Sequence, residues 1–390
     1  MTVQSFPPPK PVTEAAGPVT PIPFFGAARE NTALEAELIP EISRVLRSGE
    51  MVNNADVRAF EARVAETAGR TYAVATTSGT DALAFALMAL GIGPGDEVIV
   101  PDFTFIASAS AILRTGARPV FADIRLGAVE RDEAPCTLDL ADAERRITPA
   151  TRAMVWVGLF GGMGDPGPVE AFARRHGLLL VEDAAQNFGA SWRSRPAGGM
   201  GDISSFSFDR FKVLSAPGTG GAVVTDDAEV AARLRALRFH GMHEGESRML
   251  GFNSQMSAIT AAALNVKLGH HAGWVAERAA ISAAYDAGLA GLPVTRLFWP
   301  GDCHHVWHKY VLLTPEPDAL AAHLAAQGIA TRRHYARPLH QEPVFAAFAD
   351  AAGYPETERL AAQVLSLPIY AQLTAEEIAR VIDAVAGFHA

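Results

Sequence analysis

Three short stretches of the chain carry residue types with chemical capability. In SFSFDRFKVLSAPGTGG a single lysine, Lys212, stands among Phe206, Phe208, Phe211, Val213 and Leu214, just ahead of a glycine cluster. Apolar surroundings remove solvation from an ammonium, which favours the free amine and makes it available as a nucleophile. An ordinary lysine with greasy neighbours remains the bland reading of this stretch alone. A Walker-type phosphate loop is excluded by order, because it needs glycines before the lysine and Ser or Thr after it. Here the glycines follow and Val213 comes next. In VEDAAQNFGA, Asp183 closes a very apolar run, where an unpaired carboxylate is expensive to bury. It needs a protonated ring nitrogen, another cation, or a helix N-terminus to cap.

The third stretch is TTSGTDALAFAL. Ser78, Gly79 and Thr80 fall at a strand-to-helix junction, where backbone amides and hydroxyls can hold a phosphate. A plain N-cap by Thr80 or Asp81 explains the same letters. Phe105, in PDFTFIASAS, suits either stacking on a flat ring or core packing. A phosphate cradle, a carboxylate for a pyridinium nitrogen and a lysine for an aldehyde are the three handles of pyridoxal phosphate. The combination is far more specific than any one stretch.

Elements that could position these residues are legible around them. TYAVATT, DEVIVP, RPVFADI, AMVWVGLF and LLLVED read as apolar strands, alternating with helical DALAFALMALGI, SASAILRTGA, LADAERRI and PVEAFARRHG. That alternation predicts an α/β fold with a three-layer, mainly parallel sheet and ligands bound past strand C-termini. The link from FSFD to AVVTDD is too short for a helix, so an antiparallel strand there makes the sheet mixed. Residues 1–22, Pro-rich, are expected to be an extended or disordered lead-in, 23–270 a large α/β domain and 271–390 a smaller α+β domain.

Composition narrows the function classes. The chain has 390 residues, is 49% hydrophobic and carries a formal net charge of -10, so it can bury a large core and lacks the basic surface of a general nucleic-acid binder. Two cysteines, Cys136 and Cys303, suggest neither a disulfide framework nor a cysteine-rich metal site, and no metal is expected. The N-terminus lacks a signal-peptide pattern and no apolar run is long enough for a bilayer, so the expected location is cytoplasmic.

The motifs SGTDAL, PDFTFIASA, VEDAAQNFGA, FSFDRFK, GTGGAVVTDD, LRFHG, GFNSQMS, HKYVLL, GIATRRHYARPLH and LSLPIY, in this order from about Ile22 to Ala386, resemble the StrS/DegT-type sugar aminotransferases of the aspartate-aminotransferase fold. The resemblance implies that Lys212 bonds the cofactor aldehyde as a Schiff base and carries protons. It also implies that Asp183 pairs with the pyridine nitrogen, that Gln186 lies near the ring hydroxyl and that Phe105 stacks on the ring. Gly79, Thr80 and Ser207 match phosphate contacts. Asn253 matches an asparagine reaching the cofactor phosphate of a neighbouring subunit, which implies a homodimer with composite sites. His308, Tyr310, His334 and His340 match positions at the mouth of the site and are substrate candidates, although a structural role is the commoner one for each singly. Arg332 and Arg333 suit a phosphate or a solvated face equally, and Arg235 and Arg238 a helix exterior. Three departures stand out: Arg210, Phe211 and Val213 flank the lysine in place of commoner residues, Gly158 replaces a histidine of an HLYG-like segment, and Gln255 replaces an arginine.

The implied function is transfer of an amino group from an amino acid, glutamate or glutamine, to a ketosugar, with a nucleotide-linked keto-deoxysugar as first expectation. Pyridoxamine phosphate would carry the amine between the two. A free or phosphorylated ketosugar, or a keto-cyclitol, is the close alternative. A related dehydratase is disfavoured because those relatives replace the lysine with histidine. A non-catalytic regulatory protein is disfavoured by the retained lysine, aspartate and phosphate residues.

Overall fold

The computed structural model describes residues 20–126 and 134–390. Most of the expected lead-in lies outside the described residues. Ile22 forms a parallel bridge with Ile329, which ties the start of the described chain to its C-terminal third.

Seven strands form the central sheet: β1 (Tyr72–Thr76), β2 (Glu97–Pro101), β3 (Arg118–Ala122), β4 (Thr151–Val157), β5 (Leu179–Asp183), β6 (Ile203–Ser207) and β7 (Gly221–Thr225). Their order is β1-β7-β6-β5-β4-β2-β3. From β6 to β3 all pairs are parallel, whereas β7 runs antiparallel to both β6 and β1. The antiparallel strand falls where the short FSFD-to-AVVTDD link predicted it. Apolar runs form these strands because both faces are covered. Val98 and Val100 join one core while Ile99 between them joins another, the period-2 alternation of a pleated strand.

Helix α1 (Gly79–Ala89) follows β1 and helix α2 (Ile106–Thr115) follows β2. Ser78 caps α1, its hydroxyl accepting the Asp81 amide at 3.1 Å. Neither Thr80 nor Asp81 is the cap. The Asp81 carboxylate instead accepts Thr77 and Ser254 hydroxyls and pairs with Arg114.

The C-terminal unit is an antiparallel sheet of Thr295–Arg296, Tyr310–Leu313 and Val364–Leu367, covered by helices Pro317–Ala326 and Ala375–Phe388. A capping box between Thr374 and Glu377 starts the last helix. Position 270 falls inside one continuous 31-residue helix, α3 (Ala258–Gly288), with no loop at that point.

Candidate active site

The C-terminal ends of β5 and β6 and the start of α1 meet at one place. Asp183, the last residue of β5, is buried and accepts the Ser108 hydroxyl of α2 at 2.8 Å and the Ala185 amide at 3.1 Å. Burial pushes its carboxyl up, opposed by those two donors and by the charge of Lys212. Lys212 lies on the loop after β6 and keeps some solvent contact. Burial pushes its amine down, opposed by the charges of Asp183 and Asp209. The two groups sense each other's charge but form no ion pair.

The start of α1 is set by close backbone packing. A Cβ on Gly79 would sit 2.5 Å from the Ser207 Cβ, and one on Gly221 would sit 2.3 Å from the Ser78 oxygen. Only glycine at both places lets the first turn of α1 settle between β6 and β7. The Gly79 and Thr80 amides of that turn have no protein acceptor among the described residues, and the Ser207 hydroxyl lies beside them. Free amides at a helix start are an anion site by construction. The GTGG cluster is therefore a packing turn under the cradle.

Phe105 is the N-cap residue of α2 and 53% exposed, with no described ring against it. The buried Asp183 carboxylate, Lys212, the amide cradle and this open aromatic face are the donor set that pyridoxal phosphate requires, and the residues present fit it. Gln186 accepts the Phe160 amide at 3.1 Å and donates to the Tyr335 hydroxyl at 3.0 Å.

The substrate candidates divide. His308 is buried and lines a cleft with Lys212, and its imidazole is pushed well down by burial and by the charges of Lys309 and Lys212. His334 bonds the Ser366 hydroxyl through Nδ1 at 2.7 Å and packs against Phe160 and Tyr335. Tyr310 turns the other way, its hydroxyl donating to Asp286 at 2.8 Å within the small-unit core. His340 is held by buried Asp102, through Nδ1 at 2.6 Å and its amide at 2.8 Å. Asn253 is exposed beside Ser254, whose hydroxyl reaches Asp81 at 2.6 Å.

Several arginines resolve as well. Arg333 pairs with Asp318 at 2.9 Å and binds the carbonyls of Ala361 and Ala362, and Arg332 pairs through its backbone with Ser366. Arg235 is exposed, but Arg238 is not on a helix exterior: it is buried, bridging Glu61 and the Ala75 carbonyl. It follows the last helical turn and points inward, so the helical pattern did not reveal its direction.

Departures from the family wording have structural counterparts. Asn187 lies directly against Gly158, where an added Cβ would come within 2.0 Å of its Nδ2. The space a histidine would take at 158 is filled by a different side chain. In the Asp-Arg-Phe triplet, Asp209 accepts the Phe211 amide at 3.1 Å, Phe211 stacks on Phe25 at 4.2 Å and Arg210 lies over Phe211 at 4.5 Å.

Sequence reading missed Ser108, Tyr335, Asn187 and Lys309. In HKYVLL it chose His308 and Tyr310, two apart, and passed over Lys309. The strand begins only at Tyr310, so Lys309 and His308 both line the cleft while Tyr310 enters the core.

A sequence model of the DegT/DnrJ/EryC1/StrS aminotransferase family matches residues 32–386. A dTDP-3-amino-3,4,6-trideoxy-alpha-D-glucose transaminase of Streptomyces venezuelae is 43% identical, over 93% of this chain and 95% of its own. A UDP-N-acetyl-3-dehydro-alpha-D-glucosamine 3-aminotransferase of Acidithiobacillus ferrooxidans is 39% identical, over 94% of this chain and 97% of its own. The crystal structure of S. venezuelae DesV in complex with a ketimine intermediate superposes with a TM-score of 0.89 at 41% identity, covering 95% of this chain and 98% of that one. Other solved neighbours carry the pyridoxal and pyridoxamine forms of the cofactor. The chain shares the fold-type I architecture of these neighbours and belongs to the DegT/DnrJ/EryC1/StrS aminotransferase family.

Proposed function

We propose that this protein moves an amino group from an α-amino acid, glutamate or glutamine, to the carbonyl of a nucleotide-linked keto-deoxysugar. The observation that carries the reading is Lys212 on the loop after β6, its amine pushed down by burial and within reach of the charge of buried Asp183. When bound, pyridoxal phosphate supplies an aldehyde for the amine and a ring that accepts electrons. Asp183 would keep a proton on the ring nitrogen, and Ser108 and the Ala185 amide hold Asp183 in place. Ser207 and the amides of Gly79 and Thr80 would hold the phosphate, and Phe105, Gln186 and Tyr335 would contact the ring. Lys212 then takes and returns the proton at the substrate carbon, which fixes the stereochemistry of the amine. The nucleotide-linked acceptor is supported by the relatives named above, which are transaminases of dTDP- and UDP-sugars.

A homodimer in which Asn253 completes the neighbour's phosphate site belongs to the same reading. It is supported by the exposed apolar run beside that residue, where Leu250 is 94% exposed and Phe239, Met249 and Phe252 are also open. Such a patch on a lone chain marks an interaction surface. Two free thiols, Cys136 and Cys303, accord with a cytoplasmic location. Among the described residues no helix is long and apolar enough to cross a membrane.

A single-turnover screen tests the function: the amine-loaded protein is mixed with candidate ketosugars and return of the yellow form is followed. In Lys212→Ala the rate should fall by about 10²–10⁴-fold or more while cofactor phosphate is still bound. Turnover retained in that variant rejects the role of Lys212. Sedimentation of Leu250→Asp should show monomers, and an unchanged dimer rejects this surface.

A further inference from the structure

A second cation stands beside Lys212 with nothing to pair with. Lys309 is 5% exposed, yet no carboxylate lies within ion-pair distance of its ammonium and no hydrogen-bond acceptor meets it among the described residues. Its contacts are aromatic: the ammonium lies 4.6 Å from the Phe25 ring centroid and 5.6 Å from that of Phe24. Arg278 lines the same cleft, also buried, donating through one nitrogen to the carbonyls of Trp307 at 3.0 Å and Ile369 at 2.8 Å. Its Nε has no partner. The cleft is narrow in the cofactor-free protein, with about 20 Å³ of free space, and opens to solvent, with Lys212 and His308 also on its wall.

The charges do not cancel. Glu30 is the acidic residue on that wall, and its carboxylate is already engaged by Lys267 at 2.7 Å and the Ser215 hydroxyl at 2.8 Å. Burial pushes the Lys309 amine well down, opposed by the charge of Asp209, and a carboxylate ligand bound beside it would favour the charged form. The position beside Lys212 selects the ligand, because whatever bonds there must sit within reach of the amine that is exchanged. Cation–π contacts hold the Lys309 stem in place while leaving its hydrogens for an incoming acceptor.

We propose that Lys309, backed by Arg278, is the carboxylate receptor for the amino-acid donor. This rests on the amino-transfer reading above and adds the residues by which the protein tells an α-amino acid from a simple amine. Phe25 and Phe211, stacked at 4.2 Å, wall the cleft on the solvent side, which gives the Asp-Arg-Phe triplet a place in donor binding.

Two variants test it, Lys309→Met, which keeps the stem and removes the charge, and Lys309→Arg, which restores it. Glutarate, a dicarboxylate of the donor's length, is titrated calorimetrically into the cofactor-free full-length protein. The cofactor-loaded protein is then mixed separately with glutamate and with n-butylamine, and the absorbance change of each first half-reaction is followed. In Lys309→Met, glutarate binding should weaken at least about tenfold and the preference for glutamate over n-butylamine should fall by a similar factor, a change of about 1.4 kcal/mol. Lys309→Arg should recover most of both. Unchanged glutarate affinity and preference in Lys309→Met overturn the proposal. So does a defect confined to the ketosugar half-reaction, which would assign the cation to an acid group on the acceptor. If the unaltered protein binds glutarate through Lys309 yet takes nitrogen from no amino acid, the amino-transfer reading fails and the donor identity with it.

Discussion

Asp183 and Lys212 illustrate how a site stores cost in one state and recovers it in another. In the cofactor-free protein, burial raises the Asp183 carboxyl, so the folded state binds its proton more tightly than the unfolded chain does. Folding stability therefore falls as pH rises from the ordinary carboxylate range through the raised value. Asp183→Asn removes that slope while preserving an acceptor for Ser108. Denaturant titration of the cofactor-free variant should show stability equal to or above the parent at neutral pH, together with a rate of amino transfer lower by on the order of 10²-fold. A variant less stable than the parent without cofactor would mean the carboxylate is needed for folding. Both residues were legible in sequence because each breaks an apolar run with a group that needs a reason to be there. Lys309 and Tyr335 were not, because their roles depend on where a strand begins and on contacts between units far apart in the chain. No local pattern encodes that.

Among the elements, the seven strands and the mixed character of the sheet could be read from apolar runs and from one link too short for a helix, whereas the strand order could not. The β1-to-α1 junction was placed correctly, but its cap was not. Ser78, Thr80 and Asp81 are all competent N-cap types, and the choice was made by the tie from Asp81 to Ser254 and Arg114. A similar long-range decision appears in the pair Gly158 and Asn187, on the loops after β4 and β5. Gly158→His alone would force its Cβ to within 2.0 Å of Asn187 Nδ2, an overpacked contact costing about 1–3 kcal/mol. Adding Asn187→Ala should recover most of that loss, a positive coupling between the two changes. Thermal unfolding of the two single variants and the double variant measures it, and strict additivity would show that the side chains do not share the space.

At the scale of the whole molecule, two buried histidines set an acid limit. Burial pushes His271 down to about 4 and His305 down to about 3, so both stay neutral in the folded protein while the unfolded chain titrates near the ordinary histidine value of 6.5. Below that value the unfolded state gains protons that the folded state refuses, and stability falls as pH drops from about 6.5 through about 4 and on toward 3. The loss is on the order of a few kcal/mol apiece at the acid end. Urea unfolding of the cofactor-free protein across that range should show the decline, shallower in His305→Gln; an identical slope would place its origin in other groups. The helix α3 has a further consequence. At 1.5 Å per residue its 31 residues make a rod of about 46 Å, with Lys267 bonded to Glu30 about a third of the way along and Arg278 bonded to Trp307 and Ile369 about two thirds along. A continuous helix is a strut, not a hinge, so admission of substrate is left to side chains such as Phe25 and Phe211. Gly269 and Gly273 are the two soft points of that strut, and nothing lies within 4 Å of a Cβ added at either. Stiffening both to alanine should raise stability by about 0.5–1 kcal/mol each and leave turnover unchanged. A slower enzyme would reveal that the strut bends during each cycle.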